Sequence, residues 1–140
     1  MIVLDTNIIS ALFGERPEPR IVAWARRIGS AELATTAITE AEIRFGLAAM
    51  PLGRRRTALL QALDIVLDRQ LLGRVLPFDR AATPYFADFV ASRNAEGRPV
   101  QVPDAMIAAT ARAYGAKTIV TRDVKDFEGC GIALLNPFET

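Results

Sequence analysis

The chain of 140 residues carries a formal net charge of +1, and hydrophobic residues make up 51% of it. That length suits one domain, 1–140, able to bury its own core, and the near-neutral charge excludes a global positive field for nucleic acid, so any such binding must rest on local patches. No histidine occurs and Cys130 is the only cysteine, which excludes Ser-His-Asp and Cys-His catalysis, zinc sites of Cys and His, and acid–base chemistry by imidazole.

What remains for chemistry is carboxylates, hydroxyls, amides and arginine, and hard oxygen ligands favour magnesium, calcium or manganese. Asp5 interrupts the first apolar run after four residues and no run approaches membrane-spanning length, so a cytoplasmic protein with no membrane partner is expected. Of the 17 basic residues only Lys117 and Lys125 are lysines; arginine suits bidentate phosphate contacts, while a GC-rich codon bias would raise arginine and alanine together.

Met1-Ile2-Val3-Leu4 reads as a buried strand that delivers Asp5 into a strand-to-helix turn, after which Ile8, Ile9, Leu12 and Phe13 take helical spacing up to Gly14. Glu15 to Arg20, with Pro17 and Pro19, is a loop. Ile21, Val22, Trp24, Ala25 and Ile28 then form a helix ending at Gly29, with Trp24 expected in the core. Glu32 to Thr36 is a weak second strand. In the helix that follows, Thr39 and Glu42 fit a capping box, which gives Glu42 a purely structural role as one reading.

Gly53 and Arg54-Arg55-Arg56 open a helix with an apolar stripe from Leu59 to Leu71, and the three arginines oppose its dipole, facing solvent, phosphate or an acidic partner. Arg74 to Asp79 is a third strand at an edge, because Pro77 cannot donate to a ladder. A helix follows from about Asp79 to Ala95, and Glu96 to Val102 is a loop. Pro103 then starts a helix of small and apolar residues, buried on nearly all sides, with Asp104 in its first turn. Lys117 to Thr121 is a fourth strand, Arg122-Asp123 and Val124 to Phe127 follow, and Ile132 to Leu135 is a fifth strand.

Strands alternating with helices predict an α/β fold with a parallel sheet covered on both faces. Asp5, Glu42, Asp104 and Asp123 then lie at one edge of the molecule. Each has a bland account, as a turn residue, a cap, a first-turn acid or a loop acid. Together they repel one another unless a cation neutralises them, which predicts one magnesium or manganese site able to serve phosphodiester hydrolysis without histidine.

Val3-Leu4-Asp5-Thr6-Asn7, Ala37 to Gly46, Pro103 to Ala111 and Thr121 to Phe127 resemble, in order and spacing, the four signature blocks of the PIN-domain family. Within it the chain is similar to the VapC-type, FitB-like toxins of type II toxin–antitoxin modules, down to Asn136-Pro137-Phe138. The resemblance implies a three-layer fold with a mostly parallel five-stranded sheet and helices on both faces. It also implies an endoribonuclease dependent on Mg2+ or Mn2+ that leaves 5′-phosphate and 3′-hydroxyl ends.

On this resemblance Asp5, Glu42, Asp104 and Asp123 match the acidic catalytic and metal-binding positions, and Thr121 matches a hydroxyl that orients the site. Thr6 and Asn7 match supports of the first block, and Asp126 a position that is often acidic without being a regular ligand. The implied partners are an RNA substrate, a second copy in a homodimer, and a small VapB- or FitA-like antitoxin, for which the Leu59–Leu71 stripe is the candidate contact. Two rivals stand beside this reading. One is phosphoryl transfer through an aspartyl-phosphate, as in haloacid-dehalogenase-like phosphatases or receiver domains, although Asn7 stands where those want a second acid. The other is a catalytically silent PIN-like binding module.

Overall fold

A computed structural model describes residues 1–139; Thr140, the last residue of the expected domain, lies outside the described residues. Among them are five strands, β1 (Ile2–Leu4), β2 (Leu33–Thr36), β3 (Val75–Leu76), β4 (Thr118–Val120) and β5 (Ala133–Leu135). The helices are α1 (Thr6–Leu12), α2 (Pro19–Ile28), α3 (Ala37–Ala48), α4 (Arg54–Ile65), α5 (Thr83–Ala95), α6 (Val102–Ala113) and α7 (Val124–Phe127). The strands form one sheet in the order β3-β2-β1-β4-β5, and every neighbouring pair is parallel. This is the expected α/β architecture, with a sheet that is wholly rather than mostly parallel.

Alternate residues of the central strands explain why β1 and β4 read as unbroken apolar runs. Leu4 and Val120 point into a core shared with Ile8, Ile9, Ile21, Trp24, Leu47 and Leu63 of α1 to α4. Val3 and Ile119 point the other way, into a core with Phe89, Ile107, Ala108 and Phe127 of α5 to α7. A strand buried on both faces has no polar side to alternate with. Trp24 is core, as expected, and the alanines of α6 let that helix pack closely beneath the sheet.

Two expectations are overturned. The helix carrying Glu42 starts earlier than the capping-box pattern predicts: Thr36, the last residue of β2, is the cap, and its hydroxyl accepts the Thr39 amide at 3.2 Å. The strand runs directly into the helix, so the cap falls on the last extended residue and Glu42 is released from any cap. The Leu59–Leu71 stripe is also not an open contact face. Leu63, Val66, Leu67 and Leu71 are buried in the chain's own core and Leu59 and Leu60 pack partly against it. Smaller shifts are confined to element ends, as where α2 begins at Pro19 and α6 at Val102, with Pro103 in its first turn. The basic turn opening α4 is partly paired, with Arg55 against Glu15 at 2.7 Å.

Arg93, in the last turn of α5, is only 6% exposed. Its guanidinium donates to the carbonyls of Arg98 (2.7 Å), Asp126 (3.1 Å) and Glu128 (3.1 Å) and lies 5.7 Å from the Phe89 ring centroid. A buried charge needs such partners to offset its lost hydration. These bonds fasten the end of α7, the helix that follows Asp123, to α5. Among the described residues no buried side-chain nitrogen or oxygen lacks a partner, and no helix is long and apolar enough to cross a membrane.

Candidate active site

β1 and β4 are neighbours although most of the chain separates them, and the connections leave this pair in opposite directions across the sheet. A crevice opens at the carboxyl ends of strands where the order reverses in this way. The register pairs Leu4 with Val120, and the Asp5 amide continues it by donating to the Val120 carbonyl at 2.9 Å. Asp5 and Thr121 therefore leave the sheet side by side.

Asp5 is only 4% exposed and is held from three directions. One carboxylate oxygen accepts the Thr6 amide at 2.7 Å, with Asp5 acting as the N-cap of α1. The other accepts the Thr121 hydroxyl at 2.8 Å and the Asn7 side-chain amide at 3.4 Å. The Thr121 hydroxyl in turn accepts the Asp123 amide at 3.0 Å, so it orients one acid and anchors the backbone of another. Asn7 spans the same two acids: its amide donates to Asp123 Oδ2 at 3.1 Å, and its carbonyl oxygen accepts the Arg122 amide at 3.1 Å.

Glu42 comes from the far wall. The Thr6 hydroxyl donates to its Oε1 at 2.9 Å and lies 3.2 Å from the Thr39 hydroxyl. Glu40, two residues earlier, is paired with Arg44 at 2.6 Å, which separates a structural acid from an unpaired one on the same helix. Asp104 sits in the first turn of α6 and is half-buried. Asp5, Thr6, Asn7, Glu42, Asp104, Asp123 and Asp126 all line one open cleft of about 580 Å3, and Thr121 stands behind Asp5. The sequence-derived site residues are thus brought together.

The same cleft is lined by residues that sequence reasoning passed over: Ser10, Arg16, Glu18, Arg122 and Phe138. Arg122 had one signal, its place beside Asp123 within the fourth block. Phe138 belongs to the closing Asn136-Pro137-Phe138 of the resemblance, which gave it no place in the cleft, and Ser10, Arg16 and Glu18 come from a helix and a turn with no local pattern pointing there.

None of the four acids has an arginine or lysine ion-pair partner among the described residues, and two of them, Asp104 and Asp5, have their proton affinity raised. Burial, and then the charges of Asp5, Asp126, Glu42 and Asp123, push the Asp104 carboxyl up to about 7. Burial also raises Asp5, against the opposing bonds from Thr121 and the Thr6 amide. Oxygen donors with uncompensated negative charge suit a hard divalent cation. Among the described residues no group of three or more Asp, Glu or Cys side chains is placed to hold a metal ion; the acids are spread along an open cleft, and magnesium, which keeps several of its waters, requires few protein ligands.

The Asp104 shift predicts a pH effect whose sign is fixed. The folded chain binds this proton more tightly than the unfolded chain, so the contribution of Asp104 to stability is complete below its ordinary value of 3.8 and is lost as pH rises through about 7. In chelator, the melting temperature is expected to fall by a few degrees between pH 6 and pH 8, and Asp104→Asn should flatten that fall. Melting curves at the two pH values check this.

Residues 2–129 match the model of the PIN domain. The chain belongs to the PIN-domain family. It is 45% identical to VapC ribonuclease Y4jK of Sinorhizobium fredii over 139 residues, 99% of each chain. It superposes on the crystal structure of FitAcB from Neisseria gonorrhoeae with a TM-score of 0.88 at 33% identity, covering 100% of both chains. A third relative, VapBC-5 of Mycobacterium tuberculosis, a member of the VapBC family of toxin-antitoxin systems, aligns with a TM-score of 0.67 at 26% identity over 96% of each chain. The fold and the VapC- and FitB-type likeness expected from the four blocks are thereby established.

Proposed function

We propose that this chain is a metal-dependent endoribonuclease and the toxin of a type II toxin–antitoxin module. The observation that carries the reading is the cleft itself, where Asp5, Glu42, Asp104 and Asp123 share one opening with no basic partner. Similarity to a VapC ribonuclease and to a toxin–antitoxin family member supports the choice of RNA and of the biological role. The same likeness supports a cytoplasmic protein that forms a homodimer and is held in check by a VapB- or FitA-like antitoxin.

Asp5, Asp104, Asp123 and Glu42 would hold Mg2+ or Mn2+. When bound, such a cation polarises a phosphoryl oxygen and lowers the pKa of an attacking water. Thr121 and Asn7 keep Asp5 and Asp123 aimed into the cleft, and Thr6 does the same for Glu42. Glu42, exposed and engaged through Oε1, leaves Oε2 to accept a proton from water. Asp126 lines the rim and contributes negative charge there. Hydrolysis breaks the P–O3′ bond, with water's oxygen remaining on the 5′-phosphate and the 3′-oxygen leaving protonated.

The aspartyl-phosphate rival is disfavoured by the engagement of both Asp5 oxygens and by Asn7 donating where a second acid would be needed. A silent binding module would leave the four uncompensated acids without a task. The deciding experiment is end-group analysis of RNA incubated with the pure chain and manganese. Fragments with 5′-phosphate and 3′-hydroxyl ends are expected; 2′,3′-cyclic phosphates would mean attack by the 2′-hydroxyl and contradict this mechanism, and no fragments would favour the silent module.

A further inference from the structure

Six acids line the cleft, against two bases, Arg16 and Arg122. An RNA strand brings a phosphate on either side of the one being cut, so these need cations that the acids do not already occupy. Arg122 meets that need in an unusual way. It is exposed and has no ion pair among the described residues, yet it is fixed at three points. Its amide is held by Asn7 (3.1 Å), its carbonyl accepts the Asn136 side-chain amide (3.2 Å), and its guanidinium carbon lies 3.8 Å from the Phe138 ring centroid.

The pedestal is itself braced. The Phe138 amide donates to Asn136 Oδ1 at 2.9 Å, Arg20 donates to the Phe138 carbonyl at 2.5 Å, and the ring packs partly against the core. A cation stacked on a ring keeps its N–H edge open for a planar, bidentate anion. Arg122, with Asp123 and Asp126, lines both the carboxylate cleft and a second groove of about 480 Å3, where Arg122 and Lys125 are the bases beside Asp123, Asp126, Glu128 and Glu139. Of the three residues common to both, Arg122 is the one cation, so a strand passing from the first groove to the second finds its phosphate contact there.

We propose that Arg122, seated on Phe138, grips the backbone phosphate next to the scissile one and steers the RNA strand from the carboxylate cleft into the groove beside Lys125. The inference rests on the ribonuclease reading and adds a substrate-positioning residue to it. Holding the guanidinium in advance reduces the ordering cost of binding.

The test uses fluorescent decauridylate, with calcium in place of manganese and the probe's integrity checked on a gel, and follows anisotropy against salt. Arg122→Ala is expected to weaken binding about ten-fold and to reduce the slope of log affinity against log salt by about 0.7, one single-strand phosphate contact. Phe138→Leu should weaken binding about three-fold while keeping the charge. Arg80→Ala, an exposed arginine lining neither groove, should change neither quantity, and all three variants should melt within a few degrees of the parent. An unchanged affinity and slope in Arg122→Ala, or equal losses in Arg80→Ala, would overturn the proposal, as would failure of the parent chain to bind the probe. Failure of the underlying reading looks different: the parent binds with the expected Arg122 dependence but cuts no RNA in manganese.

Discussion

Asp104→Asn is expected to lower RNA cleavage by about a thousand-fold, the rate equivalent of about 4 kcal/mol, while leaving the fold intact. The substitution hardly changes volume, but it removes a charge that the other acids already oppose. Asp104 has its proton affinity raised by burial and then by Asp5, Asp126, Glu42 and Asp123, so a cation in the cleft would favour its ionised form near neutral pH. The variant should therefore be as stable as the parent in chelator, or more so, and should gain less than the parent on adding manganese, since ligand binding stabilises the folded state by mass action. Initial rates paired with melting curves measure both effects. Parent-like activity would remove Asp104 from the site.

Arg93→Met is expected to destabilise the chain by about 2–4 kcal/mol, the largest stability effect of any single side chain discussed. Methionine replaces the aliphatic stem, but the carbonyls of Arg98, Asp126 and Glu128 lose a charged donor. Two of those carbonyls belong to the end of α7 and the residue after it, so the segment carrying Asp123 and Asp126 loses its tie to α5. Urea denaturation would read the stability change. Cleavage measured well below the melting point should also fall, because the acids on that segment are held less firmly. A denaturation midpoint equal to the parent's would show that the buried guanidinium contributes no net stability.

Much of the site was legible because it lies where the chain's pattern changes. Val3 and Leu4 are buried on opposite faces, so β1 stands out as an apolar run, and the run ends at the acid. Pro103 marks the start of α6 and so locates Asp104 in its first turn. What was illegible depended on contacts between distant segments. Thr39 fits the capping pattern in sequence, but Thr36 is the cap because β2 runs straight into α3.

The Leu59–Leu71 periodicity shows that one face is apolar without showing what covers it, and the cover proved to be the chain's own core. Arg93 looks like any arginine in the last turn of a helix, where the dipole alone would explain it; its burial comes from the loops around it. The Arg122–Phe138 stack joins two residues separated by α7 and β5, for which no local spacing rule exists. Backbone-encoded features were readable, and side-chain bridges between elements were not.

The central claim is that the four-acid cleft hydrolyses RNA with a divalent cation. The most direct measurement is incubation of mixed cellular RNA with the chain purified free of any partner, in manganese and in chelator, beside Asp104→Asn in manganese. Discrete fragments that appear only with the parent chain and manganese are the expected result. Fragments that persist in chelator, or that Asp104→Asn produces equally well, would contradict it.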